Sequence, residues 1–116
     1  MKAVLFRSEI PIPDLWLNCI KTFPLYGFET IVYSTHPEIH KEYLPDNIKC
    51  FNSNEILSTD LLYKLKQDSQ KKYWHYKNFS DFFRAKVMKK HPGSWYFDND
   101  IICLKNIIPN KLTAIA

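Results

Sequence analysis

A chain of 116 residues, 46% hydrophobic and 24% charged, has the length and balance of one folded domain with its own core, which excludes a disordered polymer. Two glycines cannot build either glycine-rich phosphate loop, GxGxxG or GxxxxGK(S/T). The net charge is +4, and no apolar run approaches the roughly 20 residues of a membrane-spanning helix.

Ala3-Val4-Leu5-Phe6 reads as a buried first strand. Arg7 and Glu9 cut this stretch before a signal-peptide core could form. Ile10-Pro11-Ile12-Pro13 is biased toward extended backbone. Asp14 then caps or opens a helix, with Leu15, Trp16, Cys19, Ile20 and Phe23 recurring at three- and four-residue spacing. Pro24 and Gly27 are expected to end it. Residues 28–33 form a second strand, rich in β-branched and aromatic side chains. Strand, helix and strand in this order make a βαβ unit with a parallel pair.

Thr35-His36-Pro37-Glu38 reads as a loop or the start of a short helix. Ile48-Lys49-Cys50-Phe51 reads as a third strand, followed by helical structure at Asn54–Leu57 and a helix over 59–66. Residues 67–78 are polar, aromatic and ambiguous. Asn78 or Ser80 is expected to cap the next helix, which carries Phe79, Phe83 and Val87 as its apolar stripe and ends at His91-Pro92-Gly93. Ser94–Phe97 is a further strand, and Ile101–Leu104 a short buried segment. No repeat or linker interrupts the chain, so residues 1–116 are expected to form a single α/β domain with a mainly parallel sheet.

Three well-separated cysteines, Cys19, Cys50 and Cys103, form no CxxC pair and read as reduced thiols of a cytoplasmic protein. Charge is uneven: residues 64–90 hold nine Lys or Arg against Asp68 and Asp81, 9 − 2 = +7, and the remainder carries −3. Such a segment is a solvated helical face or an attractor of polyanions, whether nucleic acid, anionic lipid or nucleoside diphosphate. Tyr73-Trp74-His75-Tyr76 amid these lysines could stack on bases, although packing beside the helix is the simpler role. His36 and His40 lack a third ligand nearby and read as part of a solvated turn rather than a zinc site.

Asp98-Asn99-Asp100 follows a hydrophobic strand directly. Alternation along extended chain points Asp98 and Asp100 to one side. Two converging carboxylates repel unless a cation or donors intervene, and Mg²⁺ or Mn²⁺ takes such oxygen ligands and shares them with phosphates. The end of a strand in an open α/β sheet is where ligands bind. Asp81 and Arg84, three apart on a helix, share a face distinct from the apolar stripe. They make either an intrahelical ion pair or a polar pair aimed at a hydroxylated ligand.

Taken together, Phe79-Ser80-Asp81-Phe82-Phe83-Arg84-Ala85-Lys86 and Gly93-Ser94-Trp95-Tyr96-Phe97-Asp98-Asn99-Asp100-Ile101-Ile102-Cys103-Leu104-Lys105 resemble the sugar-binding region of DXD-containing glycosyltransferases, the capsular-polysaccharide and mannosyltransferase-like enzymes of the GT-A fold. In that family a helix opening Ser-Asp-x-x-Arg is followed by Gly-Gly, a hydrophobic strand and Asp-x-Asp. The likeness extends over roughly residues 1–108 and is concentrated in 79–105. Here Ser94 replaces the second glycine, and one extra residue separates Arg84 from Gly93.

The resemblance implies a Rossmann-like GT-A nucleotide-sugar-binding half domain. It implies donor-sugar contacts for Asp81 and Arg84, nucleotide contacts near Phe6 and Arg7, and metal and diphosphate binding for Asp98 and Asp100, with Mn²⁺ or Mg²⁺ as cofactor. The implied reaction is glycosyl transfer from a nucleoside diphosphate sugar to a hydroxyl of a saccharide or glycoconjugate acceptor, as in polysaccharide biosynthesis. Twelve residues after Leu104 are too few for an acceptor platform, so the chain is expected to stop before the acceptor lobe, with a second chain as one source of the missing site. The rival readings are a non-catalytic nucleotide-binding module and an RNA-binding protein using residues 64–90.

Overall fold

The computed structural model of the chain describes residues 1–8, 11–68 and 74–97. Its elements run β1 (Lys2–Arg7), α1 (Asp14–Leu25), β2 (Glu29–Ser34), α2 (Pro37–Tyr43), β3 (Ile48–Asn52), a 3₁₀ turn (Ser53–Glu55), α3 (Thr59–Asp68), α4 (Trp74–Lys90) and β4 (Trp95–Tyr96). The strands form one sheet in the order β3-β2-β1-β4, and every pairing is parallel. This is an α/β architecture, as expected.

Alternation along the strands splits the core in two. Ala3, Leu5 and Val32 point to one face, where Trp16, Ile20 and Phe23 of α1 cover them together with Leu44, Ile48 and Phe97. Val4, Phe6, Ile31 and Tyr33 point to the other, under Phe79, Phe83 and Val87 of α4 and the flank of α3. All three of those α4 residues are fully buried, so the apolar stripe expected from its spacing is the packing face.

The end of α1 shows why a proline and a glycine stand where they do. Pro24 lies inside the last turn rather than beyond it. Gly27 takes the left-handed conformation, φ 87°. The Phe28 amide then donates to the Phe23 carbonyl at 3.1 Å and the Gly27 amide to the Pro24 carbonyl at 3.1 Å. Those two bonds make a Schellman cap, and the Phe23 and Phe28 rings supply its apolar contact, edge to face at 5.9 Å.

Two expectations need correction. Helix α4 begins at Trp74, not at Asn78 or Ser80; no Gly or Pro breaks residues 74–80, and the Ser80 hydroxyl lies 3.4 Å from the Tyr96 hydroxyl, so that contact takes the place of a cap. Of the two readings of 35–38, the structure has the short helix, with Pro37 at its start where a missing amide hydrogen costs nothing. His40 is not in a solvated turn. It is fully buried, with Nδ1 2.5 Å from the Ser34 hydroxyl.

The turn from α4 to β4 is pinned to the sheet. His91 Nε2 lies 2.7 Å from the Tyr33 hydroxyl, and Gly93 takes φ 79°. Burial pushes the His91 imidazole below its ordinary value near 6.5, and the charges of Lys2 and Lys90 push the same way, against Glu29. A depressed folded-state value means that the unfolded chain binds the proton first. Stability from this site is therefore complete above about pH 6.5 and falls as the pH drops through that value. Urea midpoints measured between neutral and mildly acidic pH should show that decline, and His91→Asn should flatten the imidazole part of the slope.

Candidate functional site

Strand order reverses its direction of growth at β1. From β1 the chain moves outward through α1 to β2 and through α2 to β3, then returns through α3 and α4 across the opposite face to β4 on the other side of β1. The carboxyl ends of β1 and β4 therefore flank a topological switch point, where adjoining connections diverge and leave a crevice. Arg7 ends β1. Phe97 continues β4, its amide donating to the Val4 carbonyl at 3.0 Å. Asp98, Asn99 and Asp100 come next in sequence and lie outside the described residues, as do Tyr73, Cys103 and the segment 101–104.

Helix α4 brings the Asp81 and Arg84 side chains together at 3.4 Å, with 54% and 56% of their side-chain surface exposed. At that exposure the ion pair contributes little to folding, and both groups face solvent. Ser80 and Arg84, one turn apart, share the flank of α4 that meets β4, since the Ser80 hydroxyl reaches Tyr96 there. The pair thus stands beside the strand that leads into the Asp-Asn-Asp tripeptide.

Phe6 and Arg7 differ in kind. The Phe6 ring is committed to the core, 4.6 Å from Phe83 and 5.6 Å from Phe79. Arg7 is only 8% exposed. Its guanidinium lies over the Trp16 ring at 5.0 Å and its Nη2 donates to the Pro11 carbonyl. A buried arginine is stabilised by hydrogen bonds from its guanidinium and by an aromatic ring against its planar face. Arg7 thereby ties the segment leaving β1 to helix α1.

A second polar group lines the neighbouring strand end. The Thr35 hydroxyl donates to the Ser8 carbonyl at 3.0 Å, and the His36 amide donates to the Ser34 hydroxyl at 2.8 Å. The first contact fixes the loops after β1 and β2 against each other, and the second shapes the turn that leaves β2. Arg7 over Trp16, Ser34 against His40, and Ser80 against Tyr96 went unread in the sequence, because each joins residues from different elements. The one available signal was parity: Ala3, Leu5 and Arg7 alternate, so Arg7 must face α1.

A sheet of this order with helices on both faces is the architecture of a Rossmann-like GT-A half domain. Residues 18–115 match the family model described as glycosyltransferase sugar-binding region containing DXD motif, and the chain belongs to that family, which makes it glycosyltransferase-like. The matched stretch includes both the Asp81–Arg84 pair and Asp98-Asn99-Asp100. Comparison with curated proteins and with solved structures gave no match.

A divalent cation goes with such a family, and the donor chemistry fits it. Two aspartates offer carboxylate oxygens, the ligands hard cations take, and the strand preceding them ends at the switch point. Among the described residues no three His, Cys, Asp or Glu side chains gather as an alternative metal site.

Proposed function

We propose that this chain is one nucleotide-sugar-binding domain of a metal-dependent glycosyltransferase, taking a nucleoside diphosphate sugar and transferring its glycosyl unit to a hydroxyl of a saccharide or glycoconjugate acceptor, in polysaccharide or glycoconjugate synthesis. The observation that carries the reading is the exposed Asp81–Arg84 pair on the flank of α4 beside β4, next to a strand that ends at the switch point and is followed in sequence by Asp98-Asn99-Asp100.

In this reading Asp98 and Asp100 hold Mn²⁺ or Mg²⁺ and, with it, the diphosphate. Such a cation, when bound, offsets the negative charge of the departing nucleoside diphosphate. The Asp81 carboxylate accepts hydrogen bonds from sugar hydroxyls, and Arg84 donates to the sugar or to phosphate. Arg7 acts at the nucleotide side by holding the segment after β1 in place, while Phe6 supports it from the core. Free, buried Cys19 and half-buried free Cys50 support a reducing, cytoplasmic setting.

Asp81→Asn separates sugar recognition from nucleotide recognition. A hydrogen bond to a charged group contributes about 1.5–3 kcal/mol, so affinity for the nucleotide sugar should fall about tenfold or more. Affinity for the bare nucleoside diphosphate should stay within about twofold. Equal losses for both ligands would remove Asp81 from the sugar site. The reaction itself is tested by incubating the purified protein with a panel of nucleotide sugars and acceptor saccharides, scoring released diphosphate and glycosylated product separately. Metal-stimulated release from one donor supports the reading; neither release nor binding with any donor overturns it.

A further inference from the structure

Arg84 apart, the bases of the 64–90 segment are not used by the donor site, and α4 gives three exposed residues of it a defined geometry. Phe82, Lys86 and Lys89 recur at i, i+4 and i+7, which places them on one flank of the helix. Phe82 is 55% exposed, a large apolar ring in water, and both lysines are exposed. Phe82 and Arg84 stand two positions apart, about 200° of helix rotation, so Phe82 is turned away from Arg84. On α3, Tyr63 is 63% exposed and Lys64 is exposed beside it, with Asp60 one turn before Lys64. Of the acidic groups nearby, Asp81 precedes Phe82 but is paired with Arg84, Lys90 approaches Glu55 at 4.0 Å, and residues 64–90 contain two acids against nine bases.

We infer that this flank of α4 docks the protein on an anionic lipid membrane, with Phe82 entering the headgroup region while Lys86 and Lys89 meet the lipid charges. The combination of an aromatic ring and flanking lysines on one side of a helix is that of an interfacial element, which gains from apolar burial and from attraction to anionic headgroups together. No helix among the described residues is long and apolar enough to cross a membrane; the contact inferred is of a helix flank with the membrane surface. A nucleic acid would also feel the charge, but the flank of one helix offers it no backbone-tracking groove, and a ring one turn from lysines is suited to insertion.

Cosedimentation with vesicles of neutral lipid alone, and of neutral lipid mixed with an anionic lipid, tests the inference on the intact chain. Binding should require the anionic lipid and weaken with added salt. Lys86→Ala and Lys89→Ala should each cost about fivefold, and Phe82→Ser on the order of tenfold, with circular dichroism unchanged because all three side chains are exposed. Phe82→Trp should retain binding. Equal partition to neutral vesicles, or indifference to all three substitutions, overturns the proposal. Tight oligonucleotide binding without vesicle binding also overturns it and gives the surface to nucleic acid. None of these residues belongs to the proposed donor site, so failure here leaves nucleoside diphosphate binding intact, and the converse holds.

Discussion

Asp100→Ala is expected to remove most of the metal-dependent part of nucleoside diphosphate affinity while leaving the fold unchanged. A diphosphate and a carboxylate pair repel each other, and only a cation between them makes their proximity favourable. Losing one carboxylate lowers the cation's affinity directly, and the diphosphate loses the charge that held it. The expected effect is at least about tenfold in the presence of Mn²⁺, or about 1.4 kcal/mol, and little in its absence. Asp98→Ala should act in the same direction. Titrations with and without EDTA, with denaturation curves as the control for folding, check this. An Asp100→Ala protein that keeps the full metal enhancement would take the tripeptide out of the site.

Phe83→Ala carries the largest expected loss of stability. Its ring is fully buried and lies 4.6 Å from Phe6, 5.6 Å from Tyr33 and 6.4 Å from Phe79. It joins β1, β2 and α4 at one point. Truncation removes the transfer energy of the ring and leaves a cavity that three aromatic neighbours cannot close, a cost of about 3–5 kcal/mol. Against a total of about 5–15 kcal/mol for a domain, the protein should become marginal, with Tm lower by about 15 °C. Phe83→Leu should retain most of the lost stability. The effect should reach the site as well, because Asp81 and Arg84 stand on the same helix. A thermal scan showing Phe83→Ala within a degree or two of the parent would contradict this packing.

What the sequence made legible was what local pattern determines. The βαβ opening could be read because β1 and β2 are short runs of apolar and β-branched residues, and α1 repeats its apolar positions at helical spacing. The stripe of Phe79, Phe83 and Val87 was visible for the same reason. The start of α4 was not, because residues 74–78 carry neither a periodic pattern nor a breaker, and nothing local distinguishes a loop from an early turn. At α2 the sequence left loop and short helix both open, because 7 residues are too few for a period to show. Burial of His40 depended on Ser34 being brought under it by β2, a contact that spacing alone does not encode. The site followed the same division. Asp81 and Arg84 were legible as a helical pair, and the structure adds that their flank adjoins β4. The strand order β3-β2-β1-β4, which turns the end of β4 into a switch point, arises from the return of the chain across the far face.

The central claim, a metal-dependent nucleoside diphosphate site at the carboxyl end of β4, is tested most directly by isothermal titration of the unmodified protein with UDP and with GDP, each in Mn²⁺ and in EDTA. Binding of at least one nucleotide that is stronger in Mn²⁺ by about tenfold or more, and that changes little with salt, is the expected result. Equal affinity with and without the metal for both nucleotides would contradict it.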